Sequence, residues 1–283
     1  MKPIFKKPIL ALAATSLLLG TAMLPLQAQA HRTWLLPSAT QLEGKEPWVT
    51  VDAAISENLF DYDTNALKLD GLSIRGPGGT TLQPENPHNG RLRSSFDLKL
   101  AQPGTYRISL VTESVMASYR QNGEMKRWRG ALDAFAREVP ADAEDLRSTR
   151  LHSRLETFVS SGKPGDAATK PTGVGLEMLP ITHPNELAPG ETARFRLLLD
   201  GKPAADLAVS VVPGGVRYRG VLNEILARTD ANGEFTVTWP RAGMYWVGAS
   251  YPPRAAAGGN TQGTPPAPPE RRVSYAATLE VLQ

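Results

Sequence analysis

The sequence predicts an all-β protein made of two β-sandwich domains joined by a mixed middle segment, and three observations lead there. From Pro47 to Leu110, short strand-like runs alternate with clusters of Gly, Pro, Asn and Asp. A second series of the same kind runs from Glu191 to Ser250 and closes at Tyr275 to Val281. Between them the composition changes: residues 112–172 are more charged, and Gly162 to Gly175 has the Gly, Pro and Thr content of an exposed linker. The expected organisation is a signal segment over 1–30, an N-terminal sandwich over 31–172 with a charged insertion at 112–150, and a C-terminal sandwich over 173–283.

In the first half the expected strands are Trp48 to Val51, Leu67 to Ile74, Ser95 to Leu100 and Tyr106 to Val111. Asp70-Gly71, Gly76-Pro77-Gly78-Gly79, Asn89-Gly90 and Pro103-Gly104 supply the turns. Phe96, Leu98 and Leu100 alternate toward one face, and Ala101 to Tyr106 resembles the turn before a late strand of an immunoglobulin-like module. In the insertion, Ala131 to Arg137 has the makings of about two helical turns. Leu151 to Ser161 fits either a helix or a strand, and the β-prone Thr157-Phe158-Val159-Ser160 favours the strand. In the second half, Glu191 to Leu199 alternates Thr192, Arg194 and Arg196 with Ala193, Phe195 and Leu197. Asp200-Gly201 turns into Leu207 to Val212, and Asn232-Gly233 supplies positive-φ positions before Phe235 to Trp239. Met244 to Ser250 follows, and Pro252 to Pro269 is a low-complexity loop.

The first thirty residues read as an export signal: Lys2, Lys6 and Lys7, an apolar stretch from Ile9 to Leu24, and small residues at Ala28 and Ala30. The expected location is the periplasm, with cleavage after Ala30. Removing this segment takes three of the 31 basic residues and none of the 28 acidic ones, so the processed chain is neutral, 28 against 28. That balance gives no support to nucleic-acid binding, which needs a basic stripe. With no cysteine there are no disulfides and no site for a lipid anchor near the cleavage point.

Cleavage after Ala30 would make His31 the first residue, and an N-terminal histidine offers its imidazole and its free α-amine to one metal ion. Such nitrogen donors suit copper(II) and nickel(II), and a bound metal readily displaces the amine proton. A further nitrogen would come from His88, His152 or His183. The expected metal ligands are His31 and His152. In the opposing view, His31 and Trp34 pin the first strand, His152 is a surface residue beside Arg150 and Arg154, His183 shapes a turn before Pro184, and His88 sits in an exposed loop.

Several segments carry a family resemblance: His31-Arg32-Thr33-Trp34-Leu35-Leu36-Pro37, His183-Pro184-Asn185-Glu186-Leu187 before Pro189-Gly190-Glu191, Asp200-Gly201-Lys202-Pro203, and Thr229-Asp230-Ala231-Asn232-Gly233. In their order and spacing the chain resembles a bacterial family of periplasmic proteins of unknown function, described as periplasmic components of cobalt or nickel transport systems. The resemblance implies handling of a transition metal (nickel, cobalt or copper) and a membrane transporter as partner. The second half also resembles small sandwiches of transthyretin or immunoglobulin kind, a likeness of fold alone.

Other clusters carry less. Glu57, Asp61 and Asp63 form an acidic loop without calcium-loop spacing. Tyr119, Arg120, Lys126, Arg127, Trp128 and Arg129 mix cations with aromatics, as an anion site or an exposed charged hairpin would. No nucleophile triad, phosphate loop or carboxylate pair stands out, so the chain is not expected to be an enzyme. Two alternatives to metal delivery are an envelope interaction module without metal and, less favoured, a copper redox enzyme of the kind that also begins with histidine.

Overall fold

A computed structural model describes residues 31–253 and 270–283. The expected signal over 1–30 and the Pro-rich loop from residue 254 onward lie outside the described residues.

The main strands of the first half are β1 (Arg32–Pro37), β2 (Trp48–Ser56), β3 (Leu72–Arg75), β4 (Glu85–Asn89), β5 (Ser94–Lys99) and β6 (Gly104–Gln121). The middle supplies β7 (Glu124–Gly130), the helix α1 (Leu132–Glu138) and β8 (Glu144–Ser161). The second half supplies β9 (Leu176–Pro180), β10 (Thr192–Leu199), β11 (Ala208–Pro213), β12 (Ile225–Arg228), β13 (Glu234–Thr238), β14 (Gly243–Tyr251) and β15 (Arg271–Val281). Among the described residues no helix is long and apolar enough to cross a membrane.

The strands form three sheets. A ten-stranded central sheet runs β12-β11-β14-β15-β8-β6-β3, with β7 added beside β6 and two short strands, Gln41–Leu42 beside β8 and Thr81–Leu82 beside β3, completing it. Along it β8 and β15 pair in parallel, Arg150 opposite Arg271 through Thr157 opposite Thr278, whereas β8 and β6 pair antiparallel over most of their length. The N-terminal sheet, β1-β2-β5-β4, covers one face of the central sheet; a four-stranded sheet around β9, β10 and β13 covers the other. Side chains alternate across a strand, so β8 feeds both cores. Leu155 and Val159 join Leu35, Val51, Phe96, Ile108 and Leu110 on one side. On the other, Phe158 meets Phe195, Phe235, Trp239, Tyr245 and Tyr275. The architecture is two sandwiches that share their middle layer.

The same local device appears in each half. Tyr106 donates its hydroxyl proton to the Gln102 carbonyl at 2.8 Å and accepts from the Gln102 N–H at 2.9 Å. Tyr245 donates to the Arg241 carbonyl at 2.8 Å. Both are tyrosine corners of the kind found in immunoglobulin-like sandwiches, fixing the chain where it enters a central strand.

Three expectations change. The charged insertion is not a separate excursion: β6 and β8 are each 18 residues long and simply continue past the sandwich, joined by β7 and α1. The strand expected over Leu67 to Ile74 is confined to its end, at Leu72–Arg75. The segment 162–175 is not an exposed linker throughout, because Ala168 and Thr169 are buried and its backbone is tied to the central sheet.

Candidate functional site

His31 stands exposed immediately before β1, and the residues after it are held firmly. Trp34 is fully buried and its indole N–H donates to the Ser56 hydroxyl at 2.8 Å. The Trp246 indole donates to the Thr33 carbonyl at 3.0 Å, and the Arg32 guanidinium lies 5.4 Å from the centre of that same ring. Trp34, not His31, pins the strand. Burial lowers the Arg32 pKa, with Glu224 acting in the opposite sense. His31 thus sits at the edge of an open depression of about 580 Å³ whose lining includes Arg32, Ser153, Glu224, Trp246 and Ser274. Glu224 accepts a hydrogen bond from Ser210 and is the carboxylate in this lining.

His152 is elsewhere. Ser153 opens into the His31 depression, so its neighbour His152 faces the opposite side of the sheet. It is only 7% exposed and lines a separate cavity of about 200 Å³ with Glu113, Arg150 and Arg271. Its Nε2 is 3.9 Å from the Glu113 carboxylate, and its buried Nδ1 has no hydrogen-bond partner. The two expected ligands are not brought together by the fold.

The other histidines have structural roles. His183 accepts the Asn185 N–H at Nδ1, 3.1 Å, which leaves the proton on Nε2 to be donated to Thr105 Oγ1 at 3.0 Å. Its carbonyl accepts from Glu186 N–H, closing a turn, and the buried Asn185 amide bonds Ser160 and the Phe158 carbonyl. His88 is exposed on β4 opposite Ser95, on a strand and not in a loop. Burial lowers the pKa of both His152 and His183 below the ordinary 6.5. The unfolded chain therefore binds protons on them more readily than the folded one. Their contribution to stability is present above pH 6.5 and is lost as pH falls through the lowered folded values. The expected result is a urea midpoint that drops between pH 7.5 and pH 5, roughly the imidazole range, and drops less in a His183→Gln variant.

The acidic loop closes on itself. Burial would raise the Asp63 pKa, but N–H donors from Asn58 and Glu57, both at 2.9 Å, together with Thr64 hold it below the ordinary value. Among the described residues no group of three or more His, Cys, Asp or Glu side chains is placed to hold a metal ion. A larger groove of about 720 Å³ beside Leu67, Asp70, Pro84 and Arg91 contains none of the four histidines.

One ionic cluster has no signal in the sequence beyond the alternation of Arg154 with Glu156. Both are buried on the His152 face of β8, with Arg107 from β6, Glu177 from β9 and Tyr275 from β15. Glu156 accepts from the Ser109 hydroxyl at 2.9 Å, the Tyr275 hydroxyl at 3.0 Å and Arg154 at 3.4 Å. Glu177 takes the Thr172 and Gly173 N–H groups, at 2.9 and 2.6 Å, and Arg154 Nη2 donates to Thr172 Oγ1 at 2.9 Å. Burial, then the adjacent Glu156, pushes the Tyr275 phenol well above its ordinary pKa. The charges balance two against two, and the cluster ties segment 162–175 to the central sheet.

Comparison with known proteins adds little about activity. No curated protein matches the chain. Among solved structures, the D0-D1 domain of intimin is 14% identical over 88% of this chain and 97% of its own, at a TM-score of 0.22. The human OSCAR ligand-binding domain is 15% identical over 89% and 99%, at 0.20. An Escherichia coli alpha-2-macroglobulin is 10% identical over 79% and 30%, at 0.21. Superpositions this loose bear on neither topology nor function. The family model for a domain of unknown function, DUF4198, matches residues 28–252, most of the chain, and the protein belongs to that family.

Proposed function

We propose that the chain is an exported periplasmic protein without catalytic activity that captures a transition-metal ion at its processed N-terminus and assists its delivery to a cobalt or nickel transport system. The observation that supports this is the setting of His31: exposed, at the edge of an open depression, next to a strand fixed by Trp34, with Glu224 in the same lining. Cleavage after Ala30 would add the α-amine to the imidazole, and Glu224 would supply an oxygen donor. His152 has no part in this set, because it faces the other side of β8.

The test is titration of copper(II), nickel(II) and cobalt(II) into chain beginning at His31, followed calorimetrically. One of these metals is expected to bind at one equivalent. Acetylating the α-amine of His31, which removes it from the chelate, is expected to weaken that binding by roughly 100-fold, the upper end of what the loss of even an outer-shell partner costs a metal site. His152→Ala should leave it unchanged. Stoichiometric binding that survives acetylation would overturn the assignment. Failure to bind any of the three metals would favour a second reading, a non-catalytic envelope interaction module. That alternative draws on Tyr218 and Leu226, 86% and 73% exposed near the edge strand β12.

A further inference from the structure

The arm formed by β7, the outer half of β6 and the first half of β8 sorts its mixed cations and aromatics by face. Val115, Ala117 and Tyr119 point to one side and are buried. On that side Trp128 stacks on Phe135 of α1 at 5.4 Å and donates to Glu138 at 2.9 Å. The other side carries Met116, Ser118 and Arg120 of β6. Pairing places Arg129 opposite Met116, Arg127 opposite Ser118 and Met125 opposite Arg120. On the far flank, Thr149 lies opposite Met116 and Arg147 opposite Ser118.

No described residue covers this face, which has Arg127 and Arg147 on either side of Ser118, about 10 Å apart at the usual strand spacing, with Arg129 one step further along. Arg272 continues the row on β15, opposite Leu151. Arg120 is paired with Asp145 at 2.9 Å, and Glu144 lies opposite Arg120. Among the described residues Arg127, Arg129, Arg147 and Arg272 make no ion pair within 4.0 Å. Between the arginines stand two exposed apolar side chains, Met116 at 48% and Met125 at 54%.

We infer that this face docks the protein on an anionic lipid bilayer. A sheet face presenting unpaired guanidinium groups complements a layer of lipid phosphates, and the methionines can enter the boundary between headgroups and acyl chains. A soluble polyanion would neutralise the arginines and leave the methionines in water. The processed chain is neutral overall, so this attraction is a property of one face and not of net charge. The face lies on the same side of the central sheet as Ser153 and Ser274, which line the depression at His31. Docking would bring that depression toward the membrane, although the inference stands without a metal there.

The experiment is co-sedimentation of the chain from His31 onward with vesicles of phosphatidylcholine alone and of equal parts phosphatidylcholine and phosphatidylglycerol, at low ionic strength. Binding is expected only to the anionic vesicles, and high salt should abolish it. The triple variant Arg127→Glu, Arg129→Glu, Arg147→Glu should lose roughly 100-fold or more in partitioning, each basic residue near such a surface contributing about fivefold. Lysine at the same three positions should retain it. Met116→Ser with Met125→Ser should weaken vesicle binding while leaving retention on heparin unchanged. Thermal melts matching the parent chain would show that the variants fold. Equal binding to neutral vesicles, no binding to anionic ones, an unaffected triple glutamate variant, or heparin retention without vesicle binding would each overturn the lipid assignment.

Discussion

Glu156→Ala is expected to destabilise the protein by about 3–5 kcal/mol, as removal of one partner from a buried ion pair does. The carboxylate is 1% exposed and receives Ser109, Tyr275 and Arg154, with Arg107 Nε 3.8 Å away. Its loss leaves two arginines with only Glu177 to balance them, and Arg154 Nε already lacks a partner. Because Arg154 also reaches Thr172 and the Val174 carbonyl, the damage should extend to segment 162–175. Chemical denaturation gives the loss, and hydrogen exchange should show the amides of Thr172 and Gly173 becoming faster. Glu156→Gln, which keeps the acceptor oxygen but not the charge, should fall between the two. A loss under about 1 kcal/mol for the alanine variant would place this cluster in the class of ion pairs that contribute little.

Gly175→Ala is expected to cost about 2–4 kcal/mol, from two separable sources. The residue has φ of +74°, a left-handed conformation that disfavours any side chain by about 1 kcal/mol. An added Cβ would also stand 2.3 Å from His152 Cε1 and 2.5 Å from Nδ1, and overpacking of this kind costs about 1–3 kcal/mol. His152→Ala removes the obstruction, so in that background Gly175→Ala should cost only the backbone penalty. The double-mutant cycle should give a coupling of about 1–3 kcal/mol. Additive effects would mean that the ring moves aside freely, contrary to its burial. The same contact accounts for the unpartnered Nδ1 of His152, which is pressed against the glycine of an incoming loop.

The strands were legible wherever a face meets a core. Phe96 and Leu98 alternate because β5 packs one side only, and Ala193, Phe195 and Leu197 do the same in β10. Legibility failed in the arm, where among the described residues α1 covers one face and nothing covers the other. Arginine and serine occupy positions that a core would fill with apolar residues, so continuous strands read as a charged insertion. The segments that carried the family likeness turn out to build turns. Asp230 accepts the Asn232 and Glu234 N–H groups, both at 2.8 Å, Thr229 bonds the Ala204 carbonyl and the Leu207 N–H, and Asn185 fastens the end of β8. Such residues identify a fold strongly and an activity weakly. At the site, His31 was visible through its place after Ala30. Glu224 was not, because only the pairing of β12 with β11 and of β11 with β14 carries it toward the N-terminal strand.

The parallel pairing of β8 with β15 has a consequence for the order of assembly. β15 occupies the centre of the shared sheet, between β8 and β14, and contributes Ala276 to one core and Tyr275, Ala277 and Leu279 to the other. Neither half can close its middle layer until residues 271–281 have arrived, and their partners on β8 lie far back in the chain. A polypeptide emerging from a ribosome would thus keep this shared layer incomplete until β15 appears. β15 then acts as the latch for both halves at once.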